Sequence, residues 1–348
     1  MNFKKIISLT LCLLLALSFS GCQNSGSSDK PTLRVYNWGE FIANGVLEQF
    51  EQETGIKVIY DTFNDNESLY AKIKNAGGDT YDVIVPSDYM VKQMIDEDML
   101  AELNYDNIPN FKNLEEGYTK LSFDPENKYS VPYLVGTVGI LYNTDLVDGE
   151  ITKMADLFNE KYARKVCMLY SMRDTIGMTL KMLGYSMNDT DTNHINKARD
   201  VLIEQKPNVL AYGTDDIPPK VMNGTAAMAL VYSGEGTRAV DEQPENMKFV
   251  IPEEGSNLAV DNFVVLKSST HKEAAEKFIN FMLREDIALK NAEETGYSTP
   301  NKAAKELLPE NIKNDKGRYP SKEVLDKCEV FESDNKYYVD AWNLIVAK

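Results

Sequence analysis

Three apolar segments of the sequence end in an aromatic residue close to a carboxylate. The pairs are Trp38 with Glu40, Tyr89 with Asp88, and Tyr232 with Glu235. An aromatic face attracts a cation by about 0.5 to 2 kcal/mol, and a carboxylate accepts the N–H groups of an ammonium. Aromatic walls also favour a methylene stem, by about 0.8 kcal/mol per buried CH₂. These pairs therefore predict a site for a small organic cation.

Other chemistries find less support in the sequence. No G-x-G-x-x-G follows a predicted strand and no Walker loop is present, so nucleotide binding is disfavoured. The only two histidines, His194 and His271, lie far apart in polar surroundings, which argues against a zinc site and a Ser-His-Asp triad. We expect no metal and no cofactor. A secreted hydrolase that uses an acid pair stays open as an alternative.

The chain is strongly acidic, with a formal net charge of −17 over 348 residues. Such a charge disfavours nucleic acid as a partner, because phosphates require basic surface. It is compatible with a cationic ligand, but also with a surface that only serves solubility.

The N-terminus has the pattern of a secretion signal. Two lysines precede a 14-residue apolar stretch, residues 6–19, which is too short to span a membrane as a helix. Small residues then precede Cys22, as in bacterial lipoprotein signals, although Phe19 replaces the usual aliphatic residue. We expect residues 1–21 to be removed, Cys22 to be lipidated and residues 22–31 to be a flexible linker. The alternative is simple cleavage that leaves Cys22 as an incidental thiol. Removal of two lysines and no acid takes the charge from −17 to −19.

Besides Cys22, two cysteines remain in the mature chain, Cys167 and Cys328. They could form one disulfide. Because Cys167 lies in an apolar strand-like run, two free thiols are the preferred interpretation.

The first third of the sequence predicts alternating strands and helices. The predicted strands are 32–38, 56–63 and 81–87, and the predicted helices are 45–55, 66–78 and 89–100. This order implies a parallel sheet with helices on its faces, and ligands bind at the carboxyl ends of such strands. Trp38 and Glu40 then lie on the same edge as Ser87 and Tyr89. We expect Gly39 to let the backbone turn closely there.

A second α/β set follows a long β-rich stretch, residues 129–147. Within it, residues 226–236 predict a strand with a glycine-rich end. Strand passages near 135–142 and near 260 indicate that the chain crosses twice between two lobes. We predict one lobe from 32–139 plus 262–301 and the other from 140–261 plus 302–348. The cleft between them is the expected ligand site.

Several longer motifs resemble one known family. They include "YNWGEF", "YDVIVPSDYMV", "YSVPYLVGTVGI", "INFML" and "GYSTPN". Together they resemble the extracytoplasmic spermidine/putrescine-binding proteins of polyamine ABC transporters, from about residue 33 to the C-terminus. The resemblance implies a two-lobed type II periplasmic-binding-protein fold, with a polyamine clamped in the cleft and delivered to an ABC permease. It also implies a monomeric binding protein, not an enzyme, anchored outside the cytoplasmic membrane.

The resemblance assigns ligand-binding roles position by position. The residues concerned are Trp38, Glu40, Phe41, Ser87, Tyr89, Asp174, Tyr232, Asp261, Tyr297 and Glu332. Asp261 matches the central aspartate that pairs with an amine. The assignment of Glu332 rests on a loose alignment, in which it falls near a glutamine of the family.

The sequence also departs from the family pattern. Gly39 replaces a hydroxyl residue, Ser171 replaces the first acid of a D-x-x-E pair, and Ala259 replaces a tryptophan. One anionic contact and one aromatic wall are therefore missing, so another small cation or another solute stays open as the ligand. An anion would need a basic cleft, for which Arg173 is the main candidate.

Overall fold

The structure is a computed structural model that describes residues 31–75, 80–332 and 336–347. The predicted signal peptide, the predicted lipidation site Cys22 and all but the last residue of the predicted linker lie outside the described residues.

The described chain contains nine β-strands that form one continuous curled sheet. Their order across the sheet is β2-β1-β3-β9-β4-β7-β5-β6, and β8 pairs beside β4. The strands are β1 Thr32–Trp38, β2 Lys57–Phe63, β3 Val83–Ile84, β4 Ser130–Asn143, β5 Val166–Leu169, β6 Val209–Gly213, β7 Met228–Tyr232, β8 Met247–Val250 and β9 Leu258–Val265.

Helices cover both faces of this sheet. They are α1 Val46–Thr54, α2 Asn66–Asn75, α3 Asp88–Asp96, α4 Met172–Met182, α5 Thr192–Gln205, α6 Pro218–Met222, α7 Ser233–Glu242, α8 Lys272–Met282, α9 Glu285–Thr295, α10 Lys302–Leu307, α11 Glu310–Lys313, α12 Lys322–Leu325 and α13 Lys336–Ala347. Short 3₁₀ turns lie at Tyr105–Asn107, Pro109–Asn113, Glu116–Tyr118, Met154–Phe158, Glu160–Tyr162 and Lys206–Asn208. The predicted α/β class is confirmed.

Strand β1 is packed on both faces, as its largely apolar sequence requires. On one face Val35 belongs to a core with Phe50 of α1 and Phe278 of α8. On the other face Tyr36 belongs to a core with Leu69 of α2 and Met90 of α3. Strands β1, β2 and β3 are parallel, so their carboxyl ends meet at one edge.

Strand β4 changes its partners midway along its length. Residues 130–137 pair with β9, whereas residues 138–142 pair with β7. Strand β9 in turn also pairs with β3, through Val264 and Val265. These two long strands therefore connect the two halves of the sheet.

The predicted lobe division stays a proposal, which this change of partner supports. We amend it at one point. Helix α10 packs against α9, and Lys305 Nζ pairs with Glu115 Oε1 at 3.0 Å. Helix α10 therefore fits better with the lobe that contains residues 32–139.

Two local expectations differ from the structure. The glycine-rich residues 233–236 are the first turn of α7, not the end of a strand. The ring of Tyr297 packs so closely there that a Cβ at Gly234 would lie 2.1 Å from it, so only glycine fits. At the end of β1, the residue with a positive φ is Glu40, at 53°, and not Gly39.

Cys167 is buried and Cys328 is half-buried, and both are free thiols. This agrees with the preferred interpretation from the sequence. Among the described residues, no helix is both long and apolar enough to cross a membrane.

Candidate functional site

A cavity with about 660 Å³ of empty volume opens between the two halves of the sheet. Its lining residues come from the carboxyl ends of the strands and from the two connecting strands: Trp38, Phe41, Asp65, Asn66, Glu67, Ser87, Asp88, Tyr89, Gly136, Thr137, Val138, Ser171, Arg173, Asp174, Tyr232, Asn257, Ala259, Asp261, Tyr297 and Phe331. Eight of the ten residues assigned from the sequence lie in this lining.

Asp261 lies in β9 and is held by Ser87, which precedes α3 and is itself held by Asn66 at the start of α2. Ser87 Oγ donates to Asp261 Oδ1 at 2.7 Å, and Asn66 Nδ2 donates to Ser87 Oγ at 3.0 Å. Burial raises the pKa of Asp261 to about 7, and the charge of Asp174 adds to this effect, while the Ser87 hydrogen bond opposes it. Asp261 therefore offers a carboxylate that gains strongly from a cationic partner.

Asp174 lies in the first turn of α4 and accepts three side-chain hydrogen bonds. Ser171 Oγ donates to Oδ2 at 2.7 Å, and the Tyr232 hydroxyl donates to the same oxygen at 3.2 Å. Asn257 Nδ2 donates to Oδ1 at 2.9 Å. Burial raises the pKa of Asp174, and these three hydrogen bonds lower it. The serine that replaces the family's first acid thus orients the remaining carboxylate.

A third buried carboxyl, Asp88, begins α3. It accepts the backbone N–H of Tyr89 at 2.7 Å and that of Val260 at 3.1 Å. Burial raises the pKa of Asp88 to about 7, although these two hydrogen bonds lower it. Asp88 therefore ties β9 to α3 and adds to the negative potential of the cavity.

Aromatic rings form a wall on the β1 side of the cavity. Trp38 packs on Phe63 at 4.5 Å between ring centroids, and Phe41 packs on Tyr297 at 4.6 Å. The buried Trp38 Nε1 has no hydrogen-bond partner in the described part of the chain. Its N–H lies near enough to Asp261 to favour the ionised carboxylate. The wall suits methylene groups, and the indole N–H points to a polar site beside it.

Arg173 is the one basic residue of the cavity lining within the described chain. Its guanidinium lies 3.9 Å from the ring centroid of Tyr89, and its Nε donates to Glu67 Oε1 at 3.2 Å. The Tyr89 hydroxyl donates to the same oxygen at 3.1 Å. Arg173 is therefore already balanced by Glu67. The lining holds five carboxyls, at Asp65, Glu67, Asp88, Asp174 and Asp261, against this single guanidinium.

The structure does not bring Glu40 and Glu332 to the cavity. Glu40 is exposed, and its Oε2 accepts from Arg238 Nη1 at 3.2 Å. Glu332 is exposed as well, and its backbone N–H donates to Asn188 Oδ1 at 3.1 Å. Its neighbour Phe331 lines the cavity instead.

Eight lining residues were not singled out from the sequence: Asp65, Asn66, Glu67, Gly136, Thr137, Val138, Asn257 and Phe331. Asn66 and Glu67 lie in the first turn of α2, shortly after the carboxyl end of β2, a position that could have indicated the site. Asn257 carried no such signal, because its contact with Asp174 joins residues 83 positions apart.

Within the described residues, no group of three or more His, Cys, Asp or Glu side chains could hold a metal ion. A buried acidic cavity with an aromatic wall, enclosed between two α/β halves that share two strands, defines a solute-binding protein. Such proteins close around their ligands by hinge motion.

Comparison with known proteins gives the family. Residues 45–320 match the family described as bacterial extracellular solute-binding protein, and the chain belongs to it. It is 39% identical over 316 residues to the spermidine/putrescine-binding periplasmic protein of Salmonella typhimurium, a match that covers 90% of each chain.

Solved structures agree with this assignment. The chain is 40% identical to a putative spermidine/putrescine ABC transporter protein from Listeria monocytogenes, with a TM-score of 0.86 and coverage of 91% and 98% of the two chains. It is 40% identical to the spermidine/putrescine ABC transporter substrate-binding protein PotD from Streptococcus pneumoniae, with a TM-score of 0.78 and the same coverage. The predicted family and fold are thus confirmed, and a family of solute-binding proteins agrees with the prediction of a non-enzyme.

Proposed function

We propose that the protein captures a polyamine, spermidine or putrescine, outside the cytoplasmic membrane and delivers it to an ABC permease for import. The observation that carries the proposal is the cavity itself, in which buried carboxyls outnumber basic groups beside an aromatic wall. The names of the relatives that are about 40% identical support the same ligand class.

The geometry supports a division of roles. Asp261 and Asp174 pair with ammonium groups, because each carboxyl is buried and regains favourable interactions from a cation. Trp38, Phe41 and Tyr297 pack against the methylenes. Ser87, Tyr89 and Tyr232 hold the polar groups of the site in position. Glu40 and Glu332 stay proposed ligand contacts, but Glu40 would have to exchange its contact with Arg238.

A thermal-shift screen tests the ligand class. The panel contains spermidine, spermine, putrescine, cadaverine, agmatine and choline, with sugars and amino acids as controls. A polyamine at about 100 times its Kd should stabilise the folded protein by about 2.7 kcal/mol, since it binds the native state alone. A response to a sugar or an amino acid, without any response to an amine, contradicts the proposal.

The proposed anchor is a lipid on Cys22 after removal of residues 1–21, and the protein is proposed to act as a monomer. Wild-type protein should fractionate with membranes, whereas a Cys22→Ala variant should not carry a lipid detectable by mass spectrometry. A wild-type chain with an unmodified Cys22 would refute the lipid anchor, but it would not affect the ligand assignment.

A further inference from the structure

A second cavity, with about 430 Å³ of empty volume, lies beside the point where strand β4 changes its partner. Gly136 and Thr137 of β4 and Leu258 of β9 are part of its lining. Thr137 and Leu258 are the last pair that joins these two strands, and β4 pairs with β7 from Val138 onward. Gly136 and Thr137 also line the cavity of the proposed polyamine site, so the two cavities meet at this strand.

The charged residues that line the second cavity are opposite in sign to those that dominate the first. Its lining contains two basic residues, Lys305 and Arg318, and within the described chain it contains no Asp or Glu. The first cavity instead has five carboxyls and one guanidinium. Because a cavity lined by one sign of charge attracts ligands of the opposite sign, the second cavity favours an anion, although the chain has a formal net charge of −17.

Arg318 is the buried cation of the second cavity, at 3% exposure. Its Nε donates to the Gly296 carbonyl at 3.0 Å, and its Nη2 donates to the Asp241 carboxylate. Within the described residues its third nitrogen, Nη1, is buried without a hydrogen-bond partner. Asp315 Oδ2 lies 3.9 Å from Nη1, beyond hydrogen-bond distance. A buried donor without an acceptor costs about 1 to 3 kcal/mol, and a ligand oxygen would remove that cost.

Three further groups can donate hydrogen bonds in this cavity. Lys305 Nζ pairs with Glu115 Oε1 at 3.0 Å, but an ammonium has three donors, so this pair does not exhaust them. Burial raises the pKa of Tyr319 to about 12, so its hydroxyl keeps its proton. The buried hydroxyl of Thr137 has no hydrogen-bond partner in the described part of the chain. Two cations and two hydroxyls are a donor set that suits an oxyanion.

We infer that the second cavity binds a small oxyanion, of the phosphate or carboxylate class, through Arg318 and Lys305. The hydroxyls of Thr137 and Tyr319 supply further hydrogen bonds. Because Gly296 and Asp241 already hold the guanidinium in place, binding costs little side-chain entropy there. The inference does not rest on the proposed polyamine function, since no residue with a proposed role in polyamine binding lines the second cavity.

The test is isothermal titration of phosphate and of acetate into the purified protein without a polyamine, with chloride at the same ionic strength as the reference. The wild type should bind one of the two oxyanions saturably, with one anion per chain, and the tighter of the two identifies the class. Lys305→Gln removes one cation of the cavity and keeps most of the side chain. It should weaken binding by about tenfold or more, the usual size for a hydrogen bond to a charged group.

The matched control is Lys302→Gln, which removes the same charge from an exposed position of helix α10 outside the cavity lining. It should leave the affinity unchanged. Equal losses in the two variants overturn the site, because they assign the effect to net charge. Unchanged affinity in folded Lys305→Gln protein also overturns it, since the anion then binds elsewhere, for example beside Arg173. A folded wild type that binds neither oxyanion saturably refutes the site outright.

A crystal structure of the wild type with phosphate or acetate gives a test that does not depend on the folding of a variant. An anion oxygen should lie within hydrogen-bond distance of Arg318 Nη1. A water molecule alone at this nitrogen would show that solvent satisfies the guanidinium, and it would overturn the inference.

Discussion

Asp261 is the carboxylate on which the proposed polyamine site depends most. It is 6% exposed, and it accepts a hydrogen bond from the Ser87 hydroxyl at 2.7 Å. At pH 8 the carboxyl is ionised, and a bound ammonium gains a buried counter-charge. Asp261→Asn should therefore weaken polyamine binding by about 2 to 5 kcal/mol, as is usual for truncation of one partner of a buried charge pair. Isothermal titration at pH 8 measures this loss.

The matched control for this variant is Asp340→Asn, which removes one acid from the exposed face of α13. It should leave the affinity unchanged and so separate the local effect from the effect of net charge. The amide oxygen that Asp261→Asn introduces can still accept from Ser87, so the variant should fold. Wild-type affinity in folded Asp261→Asn protein would show that the amine binds elsewhere.

At the residue scale, the sequence best predicted the positions of side chains that lie at the end of a strand. Trp38, Ser87 and Tyr89 could be placed because parallel strands end at a common edge. Glu40 could not be placed beyond that edge. Its contact with Arg238 depends on α7, which lies about 200 residues further along the chain. The position of Asn257 could not be predicted either, because its role depends on a long-range contact with Asp174.

At the scale of elements, hydrophobic periodicity predicted the approximate bounds of most helices and strands. The clearest error is at residues 233–236, where an apolar strand followed by glycines predicted a glycine-rich strand end. The structure begins α7 there instead, and the two glycines are required because Gly234 and Gly236 lie against the rings of Tyr297 and Phe249. That close packing comes from residues distant in sequence. A local pattern contains the glycines but not the rings that require them.

The long strands β4 and β9 show what a pattern can and cannot reveal. The sequence predicted a β-rich stretch over 129–147 and a passage near 260, and β4 and β9 occupy these positions. The change of partner after Thr137 is a property of the assembled sheet. No single segment of the sequence predicts this change of partner, because both halves of β4 are largely apolar and fully buried.

At the scale of the whole molecule, the buried acids link stability to pH. Burial raises the pKa values of Asp88 and Asp261 to about 7 and that of Glu235 to about 8. The unfolded chain loses these protons near its ordinary carboxyl pKa of about 4. Between about pH 4 and pH 8 the native state therefore binds more protons than the unfolded state. The contribution of these acids to stability is full below this window and is lost as the pH rises through it.

A bound polyamine should reverse this loss, because its ammonium groups are still largely protonated at pH 8 and stabilise the ionised carboxylates. The rise in Tm caused by saturating spermidine should therefore be clearly larger at pH 8 than at pH 5.5. At pH 5.5 the ligand must first displace protons from the site. Differential scanning calorimetry with and without spermidine at both pH values measures the difference, and Asp261→Asn should reduce it. Equal rises in Tm at the two pH values would mean that the buried acids of the cavity do not hold the ligand's charges.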